Sequence, residues 1–283
     1  MTRIDPAGLE SFVALGDSFT EGLEDERGPD GRHRGWADRV AAALATSNGR
    51  VRYANLAIRG RLLDQVIAEQ VPAAIELSSS LVSFHAGPND VLRPRVDLPA
   101  LLARYEGAVE RLRSTGAQVL LFTVIGRAGG TGRTADLLAA RFGAFNETAR
   151  EVARRHDCLL VDMGATAALQ DRRLWHEDRL HLAPAGHARV AAAVLEELGF
   201  SDPELLAGAV GWWREPLPAV VRHGSTGRVT DLLADVRWAR RYFLPWVGRR
   251  LRGVSSGDLL TAKQVALVDV VPGVATSPST EPS

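Results

Sequence analysis

Five short apolar runs constrain the fold most: residues 12–15, 51–57, 81–84, 119–124 and 158–161, each set apart from the next by a longer stretch. Runs this short and rich in Val, Leu and Phe read as buried strands. Residues 36–45, 98–113 and 135–155, which lie between them, repeat apolar side chains at helical spacing. Strands alternating with helices demand a parallel sheet, because parallel neighbours need a crossover connection. Right-handed crossovers then bring every strand's carboxyl end to one edge of a three-layer α/β/α sandwich, and that edge is where open α/β sheets bind ligands.

Four segments place reactive or hydrogen-bonding residues at that edge. Residues 12–22 read F-V-A-L-G-D-S-F-T-E-G, so that Gly16 allows a tight turn and Ser18 follows the end of the first strand. Residues 55–60 read N-L-A-I-R-G after the second strand, and residues 87–90 read G-P-N-D after the third. Residues 178–181 read D-R-L-H just before a helical pattern beginning near Ala185. Taken singly, each has an ordinary reading: a serine after Gly-Asp caps a helix, an Asn-Asp pair marks a loop, and a histidine packs or faces water. Their order along successive strand ends is what points to chemistry.

Together these blocks resemble the SGNH hydrolases, the GDSL esterase and lipase family, over roughly residues 11–198. The resemblance implies a flavodoxin-like sheet of five parallel strands. It also implies Ser18 as nucleophile, His181 as general base and Asp178 as its orienting carboxylate, with Ser18, Gly60 and Asn89 as oxyanion donors. Phe19 stands where the family name has Leu, and Leu182 follows His181 where Pro is frequent; neither removes a reacting group. The chemistry fits these residue types. A serine hydroxyl needs an imidazole to take its proton, the imidazole needs a carboxylate on its other nitrogen, and the tetrahedral oxyanion needs preorganised donors. Asp17 and Asp90 are expected to brace their loops through side-chain to backbone bonds. His85, Arg93 and Arg127 are candidate substrate contacts, with Arg133 beside a glycine-rich loop at 126–133; His85 reads equally as a packed strand residue.

The expected activity is hydrolysis, through an acyl-enzyme on Ser18, of short or medium acyl esters; the alcohol is not legible in the sequence, sugar- and lipid-derived alcohols being among the candidates. Transfer to an alcohol by the same triad, or a silent module that binds an acylated sugar or lipid, would use the same fold. No cofactor is expected, and no metal: His176 and His181 are five apart, whereas a metalloprotease helix needs four. Residues 253–257, G-V-S-S-G, match a nucleophile-elbow pattern, but no apolar strand precedes them, and Ser255 reads as a linker residue.

Net charge is zero with pI near 7.1, which gives no reason to expect a nucleic-acid partner. Lysine occurs once, at Lys263. Cys158 is the only cysteine, so no intramolecular disulfide forms. No secretory pattern opens the chain and no stretch approaches the ~18 apolar residues of a membrane span, so cytoplasmic residence is expected.

Residues 1–200 read as the catalytic domain, 201–253 as a helical, arginine- and aromatic-rich extension, and 254–283 as a linker and disordered tail. Within the extension, residues 230–252 carry Trp238, Tyr242, Phe243 and Trp246, and six arginines fall between Arg237 and Arg252. Such a segment either lies on an anionic membrane surface or packs its aromatic face on the catalytic domain; packing is the favoured reading, since Pro245 interrupts the helix. The oligomeric state is not legible.

Overall fold

The computed structural model describes residues 6–126, 132–219, 235–245, 248 and 255–272. One sheet runs through the molecule: β1 (Ser11–Gly16), β2 (Val51–Asn55), β3 (Leu81–His85), β4 (Gln118–Phe122), β5 (Leu159–Val161) and β6 (Gln264–Val270), in the order β5-β4-β3-β1-β2-β6. The first five strands are parallel and have the flavodoxin-like order.

Strand alternation divides the interior into two cores. Phe12 and Ala14 of β1 join Leu120 and Phe122 of β4 beneath helices Gly35–Asn48 and Pro184–Glu197. Val13 and Leu15 point the other way, with Val82, Phe84, Val119 and Leu121, against helices Leu98–Arg113 and Arg133–Arg155. Burial on both faces is why these strands read as continuous apolar runs.

One expectation is corrected. The sheet has six strands rather than five, because Gln264–Val270 pairs antiparallel with β2, setting Val268 opposite Tyr53. This strand lies inside the region read as linker and tail; residues 265–268 read V-A-L-V, an apolar run, yet most of the strand's side chains stay half or fully exposed at the edge of the sheet. Leu206 and Trp213 are buried with helix Pro184–Glu197, where Arg189 Nη1 donates to the carbonyls of Trp213 and Glu215 at 2.8 and 2.6 Å.

Residues 273–283, the tail's end, and 220–234, 246 and 247, parts of the arginine-rich segment, lie outside the described residues. The described part of that segment is helical up to Pro245, with a wide π turn at Ala239–Phe243 in which Leu244 N–H bonds to Ala239 O. The wider turn accommodates Pro245, which removes a donor and crowds the turn before it. Among the described residues no helix is long and apolar enough to cross a membrane.

Candidate active site

The position of Ser18 is set where β1 ends. Gly16 has φ +147, and a Cβ there would lie 2.4 Å from the His85 carbonyl oxygen, so only glycine lets β1 run this close to β3 as it turns. Asp17 then caps the helical turn Ser18–Glu21, its Oδ1 accepting from Phe19 N at 3.1 Å. Ser18 is the first residue of that turn, where backbone N–H groups have no helical partner. Buried Asn55 holds the turn from below, donating to the Thr20 carbonyl at 3.0 Å.

Asp178 and His181 sit on a hairpin-like loop. Trp175 and Leu182 form an antiparallel bridge, His176 N donates to His181 O at 2.9 Å, and Ala183 N to Leu174 O at 2.9 Å. The loop closes through Arg179, whose φ of +59 is left-handed for a residue with a side chain. Asp178 Oδ1 accepts from Leu180 N and His181 N at 2.8 and 3.0 Å, and its Oδ2 lies 2.6 Å from His181 Nδ1. His181 Nε2 lies 3.1 Å from Ser18 Oγ. With Nδ1–H donating to the carboxylate, Nε2 is the bare nitrogen, able to accept a hydrogen bond from the Ser18 hydroxyl. Burial alone would raise the Asp178 pKa, but the hydrogen bond and charge of His181 outweigh it and hold the carboxyl well below the usual range.

Gly60 and Asn89 reach the same cavity as Ser18. Gly60 has φ +74, and a Cβ on it would lie 2.0 Å from Ser255 Oγ. The Asn89 amide is already engaged: Nδ2 donates to Asp17 Oδ2 at 2.9 Å and to Arg61 O at 3.1 Å, so an incoming oxyanion would have to share one of these hydrogens. Glu21 ties the nucleophile turn to the Gly60 loop, accepting from Arg59 N at 2.7 Å and from Arg59 Nε at 2.9 Å. Asp90 braces the opposite side, its Oδ2 accepting from Leu63 N at 2.9 Å. Sequence reading missed the Glu21–Arg59 pair, although both residues stand inside the quoted motifs.

The cavity measures about 730 Å³, and Leu92, Val124, Ile125, Phe142 and Met163 give it an apolar side. His85 lines it too but is buried, its ring 4.3 Å from that of Phe19 and its Nδ1 3.6 Å from Asp17 Oδ1, so it is packed as much as presented. Arg93 is an exposed lining residue. Arg127 lies outside the described residues, and Arg133 begins helix Arg133–Arg155 without lining the cavity. Glu24, His176 and Asp178 bring ligand-type atoms within 4.8 Å of one another. His176, however, turns Nε2 toward Glu24 (3.5 Å) and Nδ1 toward Asp178 (3.6 Å), so opposite sides of one ring bridge the carboxylates instead of converging on a point.

Two supports carried no sequence signal. Gln70 is buried in a π turn, Val66–Gln70, just ahead of Pro72, and its amide brackets Gly16, accepting from N at 2.8 Å and donating to O at 2.9 Å. Ser255 is no mere linker residue: it lines the cavity and its hydroxyl donates to Arg59 O at 3.3 Å.

A family model described as the GDSL-like lipase/acylhydrolase family matches residues 14–189. No curated protein matches the chain. Among solved structures, an α/β hydrolase enzyme, LAE5, from the metagenome of Lake Arreo in Spain is 25% identical with a TM-score of 0.55, the match covering 68% of this chain and 95% of that one. The acetylxylan esterase Axe2 of Geobacillus stearothermophilus is 23% identical (TM-score 0.55, 68% and 94% covered). TesA is 23% identical (TM-score 0.56, 66% and 97% covered). The last two likenesses are likenesses of fold.

Proposed function

The chain belongs to the GDSL-like lipase/acylhydrolase family and is a hydrolase of esters; we propose that it works through an acyl-enzyme on Ser18. The observation that carries this reading is the unbroken relay from Asp178 Oδ2 through the His181 ring to Ser18 Oγ, with contacts of 2.6 and 3.1 Å. His181 takes the hydroxyl proton as Oγ attacks the ester carbonyl, and returns it to the departing alcohol. Water then attacks the acyl-enzyme with His181 again as base, releasing the acid and free Ser18. The N–H groups of Ser18 and Gly60 and the shared amide of Asn89 receive the oxyanion, each such donor being worth ~2.7–4 kcal/mol of barrier.

The apolar side of the cavity suits an aliphatic acyl chain. Its volume falls within the ~300–1,000 Å³ usual for small-molecule sites and exceeds what an acetyl group fills, so we expect medium acyl esters to be preferred over acetate. The test is turnover of p-nitrophenyl esters from acetate to palmitate by wild type and Ser18→Ala, with fluorophosphonate labelling read by mass spectrometry. Wild type should turn over and take one adduct on Ser18, and the variant should lose activity by about 10⁴–10⁶-fold and remain unlabelled. A Ser18→Ala protein that still turns over would overturn the mechanism. Adding an alcohol acceptor separates hydrolysis, which yields free acid, from transfer, which yields a new ester.

A further inference from the structure

The region that matches the family ends at residue 189, yet residues 235–242 touch four consecutive residues of the acid–base loop. Tyr242 sets its ring edge-on to His176, 6.2 Å between centroids, and its hydroxyl donates to Glu177 Oε2 at 3.2 Å. The indole N–H of Trp238 donates to the Asp178 carbonyl at 3.1 Å. Arg179 lies over the Trp238 ring, 4.6 Å from its centroid, and donates to Asp235 Oδ1 at 2.6 Å. Arg179 is the residue with left-handed backbone, and Asp178 is the carboxylate that orients His181. Asp178 Oδ1, accepting from Leu180 N and His181 N, holds this turn from within, and the contacts from residues 235–242 hold it from outside.

We infer that the segment from Asp235 to Tyr242 is a clamp on the acid–base loop, and that Trp238 is a positioning residue: its indole fixes the peptide that carries Asp178 and, through Asp178, the ring of His181. This rests on the proposed triad. Trp238 and Tyr242 also form part of the cavity wall, so the clamp meets substrate as well as loop. Trp238 and Tyr242, two aromatic residues of the arginine-rich segment, thus have a use that its composition does not disclose. They hold the loop that carries Asp178 and His181, while the neighbouring Arg237 and Arg240 face solvent and Arg241 lies over the Tyr242 ring at the cavity wall.

The test is a double-mutant cycle in the full-length chain, using Trp238→Phe, which keeps an aromatic ring, though a smaller one, and removes the N–H, in the wild-type and Asp178→Asn backgrounds. In the wild-type background kcat for a p-nitrophenyl ester should fall about tenfold with KM within about twofold, since a hydrogen bond acting on the loop is lost and the wall is kept. In the Asp178→Asn background the same substitution should change kcat by less than about twofold, because the carboxylate through which it acts is gone. Tyr242→Phe, which removes only the hydroxyl on Glu177, is the second variant and should cost about threefold in kcat. The clamp is overturned if neither variant changes kcat, or if Trp238→Phe costs as much without the Asp178 carboxylate as with it. A change confined to KM, shifting with acyl length, also overturns it by leaving Trp238 as wall alone. Ser18→Ala run alongside keeps the two readings apart: if it is active the triad fails, and if it is inactive while the clamp variants match wild type only the clamp fails.

Discussion

Ser18 is held by residues far from it in sequence, and Gln70 is the clearest case. Its amide satisfies both backbone groups of Gly16, two residues before Ser18, inside a region closed to water. Gln70→Met keeps length and bulk but takes away the side-chain acceptor of the buried Gly16 N–H, while Gly16 O still receives the 3.3 Å bond from Ile58 N. An orphaned buried donor costs ~1–3 kcal/mol, so the urea midpoint should fall by the equivalent of about 2 kcal/mol, and an unchanged midpoint would show that the bracket holds nothing. His187 acts at the same scale through its charge. Burial, opposed by Asp25, pushes its pKa down to about 4, and its Nε2 lies 3.2 Å from Leu23 O. A histidine whose folded pKa lies below its unfolded value gives its full stability above about pH 6.5, and that stability is lost as pH falls toward 4, because the unfolded chain takes the proton first. Wild type should therefore lose up to ~3 kcal/mol more than His187→Gln between pH 7 and pH 4, measured by urea unfolding at each pH. Parallel pH profiles would show that His187 is not the group responsible.

At the scale of elements, what was legible is what short-range pattern encodes. The five parallel strands end within a few residues of their apolar runs, because burial on both faces forces nearly every side chain to be apolar. Helix Leu98–Arg113 coincides with its sequence period, since one face packs on the sheet and the other meets water. Ser18, Gly60, Asn89, Asp178 and His181 line one cavity because each follows or precedes an element whose end the sequence marks. What stayed hidden depends on partners distant in the chain. The rod of residues 63–77 changes to a π turn at Val66–Gln70 ahead of Pro72, and that local widening, which no periodicity displays, belongs to the turn that carries Gln70. By contrast β6 carries an apolar run at 265–268 that the reading as tail passed over; with Val265 63% exposed and Val270 buried, it is an edge strand whose place is set by pairing with β2.

For the whole molecule, β6 covers the edge of β2 that five strands would leave open, and the residue just before it ties that edge to the end that carries Ser18. Lys263, the only lysine in the chain, sends Nζ to the carbonyls of Glu21 (2.7 Å), His33 (3.0 Å) and Arg34 (3.1 Å) and to the carboxylate of Asp38. Glu21 closes the Ser18 turn and also binds Arg59, so one ammonium joins β6, the nucleophile turn and helix Gly35–Asn48. An ammonium suits this place because its compact charge and rotatable donors can meet oxygens from several directions, whereas a planar guanidinium presents its donors in a fixed fork. Lys263→Met removes the cation and leaves the Asp38 carboxyl facing it uncompensated. Burial already raises the Asp38 pKa to about 6 against the pull of Lys263, and without that pull it must rise further. A carboxyl with a raised folded pKa stabilises the fold below its unfolded value and loses that contribution as pH rises through the folded one. The variant's deficit against wild type should therefore widen from pH 5 to pH 8, and Lys263→Arg should restore only part of it. Urea unfolding across that range gives the test, with amide exchange in residues 264–270 expected to quicken in the same variant. A deficit independent of pH would mean that Asp38 is not the group Lys263 serves, leaving the three carbonyls as the whole of its grip.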